Sequence, residues 1–309
     1  MPANLSFLIL LLFPAWAAAQ PQAPVSPLDR LQSNIERITR SVNATWGIYV
    51  KCLETGEQIA IRADETMDTM SVIKIPLMVE VFRQIEAGKF TLSDRVLLRD
   101  PDKRPGTGVM RSLDQGAPLT IRDLITLMII VSDNTATDLL FEKVGGTKPV
   151  NELMRSYGLT TIQATGLSRA WFEALREAPT VLEFHMEGKH PFGLSSPRDM
   201  GKLLEKIKRG EAVSKQASEE MLGILRGQLY SSRLPKYVTG FRIPHKTGDF
   251  LPYIANDVGI LESTNRNVVI SVFTMHHNGI GANLEDAIAR VSEQVANYFS
   301  YRENAGSRN

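Results

Sequence analysis

Leu28, Leu31, Ile35, Ile38 and Val42 recur at spacings of three and four, the period that gathers apolar side chains on one helical face, and predict an amphipathic helix over 28–42. The period then falls to two. Trp46, Ile48, Val50 and Cys52 alternate with Gly47, Tyr49, Lys51 and Leu53, and the turn Glu54-Thr55-Gly56-Glu57 leads into Gln58–Arg62, so a β-hairpin is expected. Cys52 falls on the Val50 face and reads as an inert core residue. Between Ser71 and Gly227 the helical period returns over 72–87, 121–131, 136–144, 150–157, 198–208 and 218–225, with Gly88, Gly145-Gly146 and Gly158 where helices should stop. Strand patterns resume over 241–246, 258–261 and 268–275, and Asn265-Arg266-Asn267 marks the turn between the last two. A closing helix is expected over 284–301, with Ala287, Ile288, Val291, Val295 and Phe299 on one face. Strands near both ends around a helical middle predict a sheet assembled from distant parts of the chain, with an all-α domain inserted between them.

The first residues are of another kind. Positions 1–19 carry no side-chain charge, and Leu5–Ala19 is apolar apart from Ser6 and Pro14, ending in Ala17-Ala18-Ala19 before the polar Gln20-Pro21-Gln22. This stretch is shorter than the ~20 residues a spanning helix needs and ends in an A-x-A signature, so a signal peptide cut after Ala19 is expected, a retained anchor being the alternative. The mature protein is then periplasmic or secreted, with no stable membrane span, and is expected to be a monomer.

Composition narrows the chemistry. Lys plus Arg number 35 against 34 Asp plus Glu, a net charge of +1, so there is no cationic excess to bind a nucleic-acid backbone. A single cysteine rules out an internal disulfide or a Cys-x-x-Cys pair, and the five histidines lack His-Glu-x-x-His spacing, so no metal or other cofactor is expected. His276-His277 reads as a solvent-exposed pair at a strand end. No G-x-S-x-G or Walker A sequence occurs, and Gly106-Thr107-Gly108 lacks the third glycine of a dinucleotide fingerprint.

Three short motifs remain. Ser71-Val72-Ile73-Lys74 is an S-x-x-K at the start of a helix, where a spacing of three puts both side chains on one face and the orphan N–H groups of the first turn lie beside the serine. Ser132-Asp133-Asn134 follows the apolar Leu124–Val131, and Lys246-Thr247-Gly248 ends the expected strand 241–246. Each tripeptide arises by chance in a few per cent of chains this long, roughly 300 windows against about 8000 combinations, but the ordered set is specific.

Together the motifs resemble those of class A β-lactamases and penicillin-binding proteins. Leu119–Leu124, Asn134–Leu140, Gly145-Gly146, Ser196–Met200 and Asn256-Asp257 are similar to class A sequence as well, so the resemblance covers nearly the whole mature chain. It implies an α+β fold: a five-stranded antiparallel sheet flanked by helices (20–67 and 233–309), beside an all-α domain (68–232), with the site between them. It further implies that Ser71 forms an acyl-enzyme, that Lys74 is its base, and that Ser132 passes a proton to the departing nitrogen. By the same resemblance Asn134 holds the substrate's side-chain amide, Lys246 and Thr247 hold its carboxylate, Gly248 allows close approach, and the N–H groups of Ser71 and Asp249 form the oxyanion hole.

The resemblance breaks at one loop. Class A enzymes release the acyl group with water activated by a glutamate in a stretch of the form Arg-x-Glu-x-x-Leu-Asn. Here Arg169–Pro179, aligned on Leu175, puts Phe172 at the glutamate position, with Glu173 one residue off and Glu177, Glu183 and Glu187 further along. Glu173 is the candidate deacylation base. The expected function is a serine β-lactamase that turns over; a D-Ala-D-Ala peptidase or penicillin-binding protein acting on cell-wall peptide, and a sensor of β-lactams or cell-wall fragments that stays acylated, are the alternatives that share the motifs.

Overall fold

Ser26 opens the first helix, accepting the Asp29 N–H at 3.1 Å just ahead of Pro27, whose missing donor is not needed there. The structure, a computed structural model, describes residues 26–306, so the expected leader and its cut after Ala19 lie outside the described residues. In chain order the elements are α1 (Pro27–Arg40), β1 (Thr45–Cys52), β2 (Gln58–Ile61), β3 (Met67–Asp68), α2 (Lys74–Glu86), β4 (Arg95–Leu97), β5 (Pro118–Thr120), α3 (Ile121–Ile130), α4 (Asn134–Val144) and α5 (Thr147–Ser156). Then come β6 (Gln163–Ala164), α6 (Ser168–Glu177), α7 (Val181–Glu187), β7 (Gly193–Ser195), α8 (Pro197–Arg209), α9 (Lys215–Arg226), β8 (His245–Phe250), β9 (Ile254–Glu262), β10 (Asn267–Met275) and α10 (Gly281–Gly306).

The main sheet is five-stranded and antiparallel, in the order β2-β1-β10-β9-β8, so the first hairpin and the last three strands join across most of the chain. Its central strands β9 and β10 are buried on both faces, as a sheet covered on both sides requires. Val50, Cys52, Ile270 and Val272 pack under Leu31 and Ile35 of α1 and under Ile288, Val291 and Val295 of α10. The alternate residues Val269 and Phe273, with Val258 and Ile260, join the core shared with α2, α3 and α8. Between the two ends of the chain lie most of the helices and two small sheets, β3-β7-β6 and β4-β5.

Three details differ from the sequence reading. The loop after 165 contains α6 and α7, whose short amphipathic runs are broken by Pro179 and therefore do not stand out as one period. The last sheet's edge strand starts at His245 rather than Phe241, because Pro244 has no N–H to offer and only an Arg242–Glu262 bridge precedes it. Lys246-Thr247-Gly248 therefore lies within β8 rather than at a strand end. His277 is buried, its Nδ1 2.8 Å from the Pro252 carbonyl, while His276 is exposed as expected.

Helix α8 lies flat on the sheet because Gly201 has no side chain. A Cβ there would sit 2.5 Å from Tyr49 Cδ1 and 3.4 Å from Val269 Cγ1. Gly201→Ala is expected to destabilise the fold by about 1–3 kcal/mol through overpacking, offset by no more than ~1 kcal/mol of helix propensity. Urea unfolding checks this, and an unchanged midpoint would show that the glycine does not set the spacing between helix and sheet.

Candidate active site

Ser71 sits on a 3₁₀ turn, Met70–Ile73, that runs directly into α2 at Lys74. The turn is entered through Met70 at φ +45°, a left-handed conformation that costs a non-glycine residue about 1–3 kcal/mol and must be held by its surroundings. It is held from both sides. Asp68 Oδ1 accepts the Met70 N–H at 2.8 Å, the Thr69 N–H reaches the Gly193 carbonyl at 2.8 Å, and Asn256 Nδ2 donates to the Asp68 carbonyl at 2.9 Å. β8 passes close by. A Cβ on Gly248 would lie 2.4 Å from the Thr69 carbonyl oxygen and 3.1 Å from the Ser71 nitrogen, so this contact requires glycine.

Next to the turn, two lysines converge on one hydroxyl. Lys74, fully buried, donates to Ser132 O (2.6 Å), Ser132 Oγ (2.9 Å) and Asn134 Oδ1 (3.0 Å). Lys246, also fully buried, donates to Ser132 Oγ at 3.1 Å and to the Thr247 carbonyl at 2.8 Å. Burial pushes the Lys74 pKa down to about 7 against the opposing charges of Asp133 and Asp138. Lys246 is held well below the ordinary lysine value, first by burial and then by the Lys74 charge. An amine near 7 can accept a proton at neutral pH. Thr247 Oγ1 is buried and has no hydrogen-bond partner among the described residues.

Ser132 is itself at φ +56°, and the neighbouring loop fixes it. Asp133 caps α4 through Ala136 N (3.0 Å) and accepts from Val109 N (2.6 Å) and Met110 N (2.8 Å). Thr107 Oγ1 donates to the Ser132 carbonyl at 2.7 Å, and a Cβ on Gly108 would collide with Asp133 Oδ2. Asn134 is engaged at both ends, accepting from Lys74 and donating to the Pro105 carbonyl at 3.0 Å.

The far wall of the site is aromatic. Asp138, buried in α4, accepts from Ser168 N (2.7 Å), Ser168 Oγ (2.8 Å) and Arg169 N (3.2 Å), and pairs with the buried Arg104 at 2.7 Å, which anchors the first turn of α6. Trp171 then centres a set of edge-to-face rings with Phe172 (5.1 Å), Phe184 (5.3 Å), Phe192 (5.8 Å) and Phe250 (5.2 Å). Phe172, Leu175 and Phe192 line a pocket of about 180 Å³ that also contains Ser71, Ser132 and Asn134.

Successive helical residues point about 100° apart, so with Phe172 facing the pocket Glu173 faces out. Its side chain is exposed, as are those of Glu177 and Glu183, and Glu187 lies outside the described side chains. Glu173 is thus not among the residues the fold gathers around Ser71, which include Lys74, Ser132, Asn134, Lys246, Thr247 and Gly248. Asp249 follows on β8, its carboxylate held by Arg233, which also reaches Glu285 at 3.0 Å and the Asn256 carbonyl at 2.7 Å. Sequence reasoning gave Arg233, Asp68 and Asp138 no role: Arg233 and Asp68 belong to no motif, and Asp138, though inside the Asn134–Leu140 stretch, acts through Arg104 and Ser168, distant in sequence. The Gly106-Thr107-Gly108 pattern was visible but its use as a brace for Ser132 was not.

These features define the β-lactamase/transpeptidase class of fold. Residues 30–299 match the β-lactamase enzyme family, and the chain belongs to that family. Among its relatives, β-lactamase VEB-1 of Pseudomonas aeruginosa is 23% identical over 88% of this chain and 91% of its own length. The β-lactamase structure from Sphaerobacter thermophilus is 29% identical with a TM-score of 0.76, covering 87% of this chain and 97% of that one. PBP-A, a mutant of which was solved as an acyl-enzyme complex with penicillin G, is 27% identical with a TM-score of 0.76, covering 90% of this chain and 99% of its own.

Asp138→Ala should destabilise the protein by about 3–5 kcal/mol, because it leaves the buried Arg104 unpaired. Hydrogen exchange should then rise first in 168–177. An equal rise over the whole chain would mean that α6 is not held by this carboxylate.

Proposed function

We propose that this protein is a serine hydrolase of class A type that takes the acyl group of a β-lactam amide onto Ser71 and releases it slowly. The observation that carries the reading is the buried Lys74–Ser132–Lys246 cluster beside the serine turn. Neutral Lys74 takes the Ser71 proton as the hydroxyl attacks the carbonyl, a C–O bond forms, the ring C–N bond breaks, and Ser132 delivers its proton to the nitrogen while regaining one from Lys74. The Ser71 and Asp249 N–H groups stabilise the oxyanion. Lys246 and the unpartnered Thr247 hydroxyl take the substrate carboxylate. Export fits this reading, with action in the periplasm or outside the cell. Among the described residues no helix is long and apolar enough to cross a membrane.

Phe172 favours a second reading. With an apolar ring at the position that would activate water, the protein acts as a penicillin-binding protein or D-Ala-D-Ala peptidase and holds β-lactams as long-lived acyl-enzymes. Removing a general base slows the step it serves by about 10² to 10⁴.

A chromogenic cephalosporin followed by stopped flow should give a one-equivalent burst and then a slow steady state, with the added mass on the Ser71 peptide. Ser71→Ala should lose both. Phe172→Glu, which puts a carboxylate on the pocket-facing side of α6, should speed the steady state while leaving the burst in place. Fast turnover in the wild type that Glu173→Gln abolishes would overturn the slow-release reading, and label on the Ser71→Ala variant would overturn the assignment of the nucleophile.

The acylation rate should also depend on pH. Only neutral Lys74 accepts a proton, so the rate should level off above about 7 and fall roughly tenfold per pH unit below it. Single-turnover acylation across that range measures this, and a flat profile would exclude Lys74 as the base.

A further inference from the structure

Asp68 stands three residues before Ser71, on the short strand β3 that pairs with β7. One carboxylate oxygen accepts the Met70 N–H at 2.8 Å and the other accepts the Phe192 N–H at 3.3 Å, with the Gly193 backbone also turned toward the carboxylate. Met70 is the left-handed residue that sets the Ser71 turn. Phe192 contributes a ring to the aromatic wall and ends the loop that carries α6 and α7. The Thr69 N–H on the Gly193 carbonyl runs alongside, so the two segments are joined at consecutive residues. A carboxylate is suited to this place because both of its oxygens are acceptors and all three neighbours are donors.

We propose that Asp68 is a positioning residue for acylation: one oxygen fixes the Met70 turn, the other fixes the Phe192–Gly193 end of the loop, and the Ser71 N–H and the aromatic wall are thereby held in one frame. This rests on Ser71 being the residue acylated. Asp68 is replaced poorly by any group that carries a donor. Asn, or a protonated carboxyl, must turn an N–H or O–H toward one of these backbone N–H groups, so one side of the tie, Met70 or Phe192, is lost.

The surroundings make that protonation reachable. Burial raises the Asp68 pKa to about 6, against the three backbone N–H groups that lower it. On its outer side is a cavity of about 200 Å³ whose titratable walls are His185 of α7 and His190 beyond it, with Phe250 and Ile254 from β8 and β9. Burial holds His185 near 4, so it stays neutral through the range in which Asp68 titrates. Lys246 and Asp249 of β8 are engaged by Ser132 and Arg233. β7 adds only Gly193, Leu194 and Ser195.

The test is single-turnover acylation of the mature protein by a chromogenic cephalosporin from about pH 5 to 8, in wild type, Asp68→Asn and Asp68→Ala. Wild type should fall about tenfold per pH unit between 7 and 6, where Lys74 alone titrates, and more steeply below about 6, where protonation of Asp68 adds a loss that levels off at the size of the Asp68→Asn effect. Asp68→Asn should be about 10- to 100-fold slower at pH 8, with substrate affinity changed less than about 3-fold, and should fall only tenfold per unit at all pH values below about 7. Asp68→Ala, if it folds, should be slower than Asp68→Asn, because it loses both sides of the tie.

A wild-type rate in Asp68→Asn, or a steep limb below pH 6 that persists in it, would overturn the proposal. Hydrogen exchange over 69–71 and 192–193 separates this from a failure of the Ser71 reading. If the wild type forms no adduct, that reading falls, and unchanged exchange in Asp68→Asn would overturn the tie on its own.

Discussion

Two amines and one hydroxyl, all buried, meet at Ser132, and most of the architecture around the cleft answers to that meeting. Placing two lysines out of water is unfavourable unless their protons are hydrogen-bonded and their charge can be shed. Both conditions are met here, by the carbonyl of Ser132, the amide of Asn134, and pKa values pulled below the lysine norm. The three participants come from α2, the segment before α4, and β8, so the contact also fastens the helical layer to the edge of the sheet. The left-handed Ser132, the Asp133 cap and the close passage of Gly248 are the local conditions that let those elements reach one point.

The opposite wall follows a different logic. Water held by a carboxylate over an ester needs a polar place to sit, whereas Trp171, Phe172, Phe192 and Phe250 offer ring edges and faces. Charge is plentiful nearby but is spent structurally, with Asp138 on Arg104 and the start of α6, and Asp249 on Arg233. The site is therefore polar where a bond would be made and apolar where water would arrive.

Much of this was legible in the chain. Helices α1 to α5 and α8 to α10, the first hairpin and strands β9 and β10 follow from periods of 3.6 and 2 because each has an apolar face, whereas the five-stranded antiparallel order came from the resemblance and β8, His245-Lys246-Thr247-Gly248-Asp249-Phe250, has no apolar face to read. The Ser71, Ser132 and Lys246 motifs were legible because each is a short contiguous run. Helices α6 and α7 were not, since seven to ten residues on either side of a proline give too few repeats to read a period. Asp68, Asp138 and Arg233 escaped for a related reason. Their meaning lies in backbone groups far away in sequence, such as the N–H of Phe192 for Asp68 and the carbonyl of Asn256 for Arg233. The direction in which Glu173 points was likewise hidden until the helix carrying it had a first turn fixed in space.

That fixed first turn has an evolutionary consequence. Because Asp138 grips α6 at Ser168 and Arg169, one inserted or deleted position after the grip would rotate the residues that follow it by a little over a quarter of a circle. In this chain an acidic and an aromatic residue stand side by side at the point that matters. Deleting one residue at that point would bring the carboxylate round to the pocket side of the helix, with no new fold and no new chemical group.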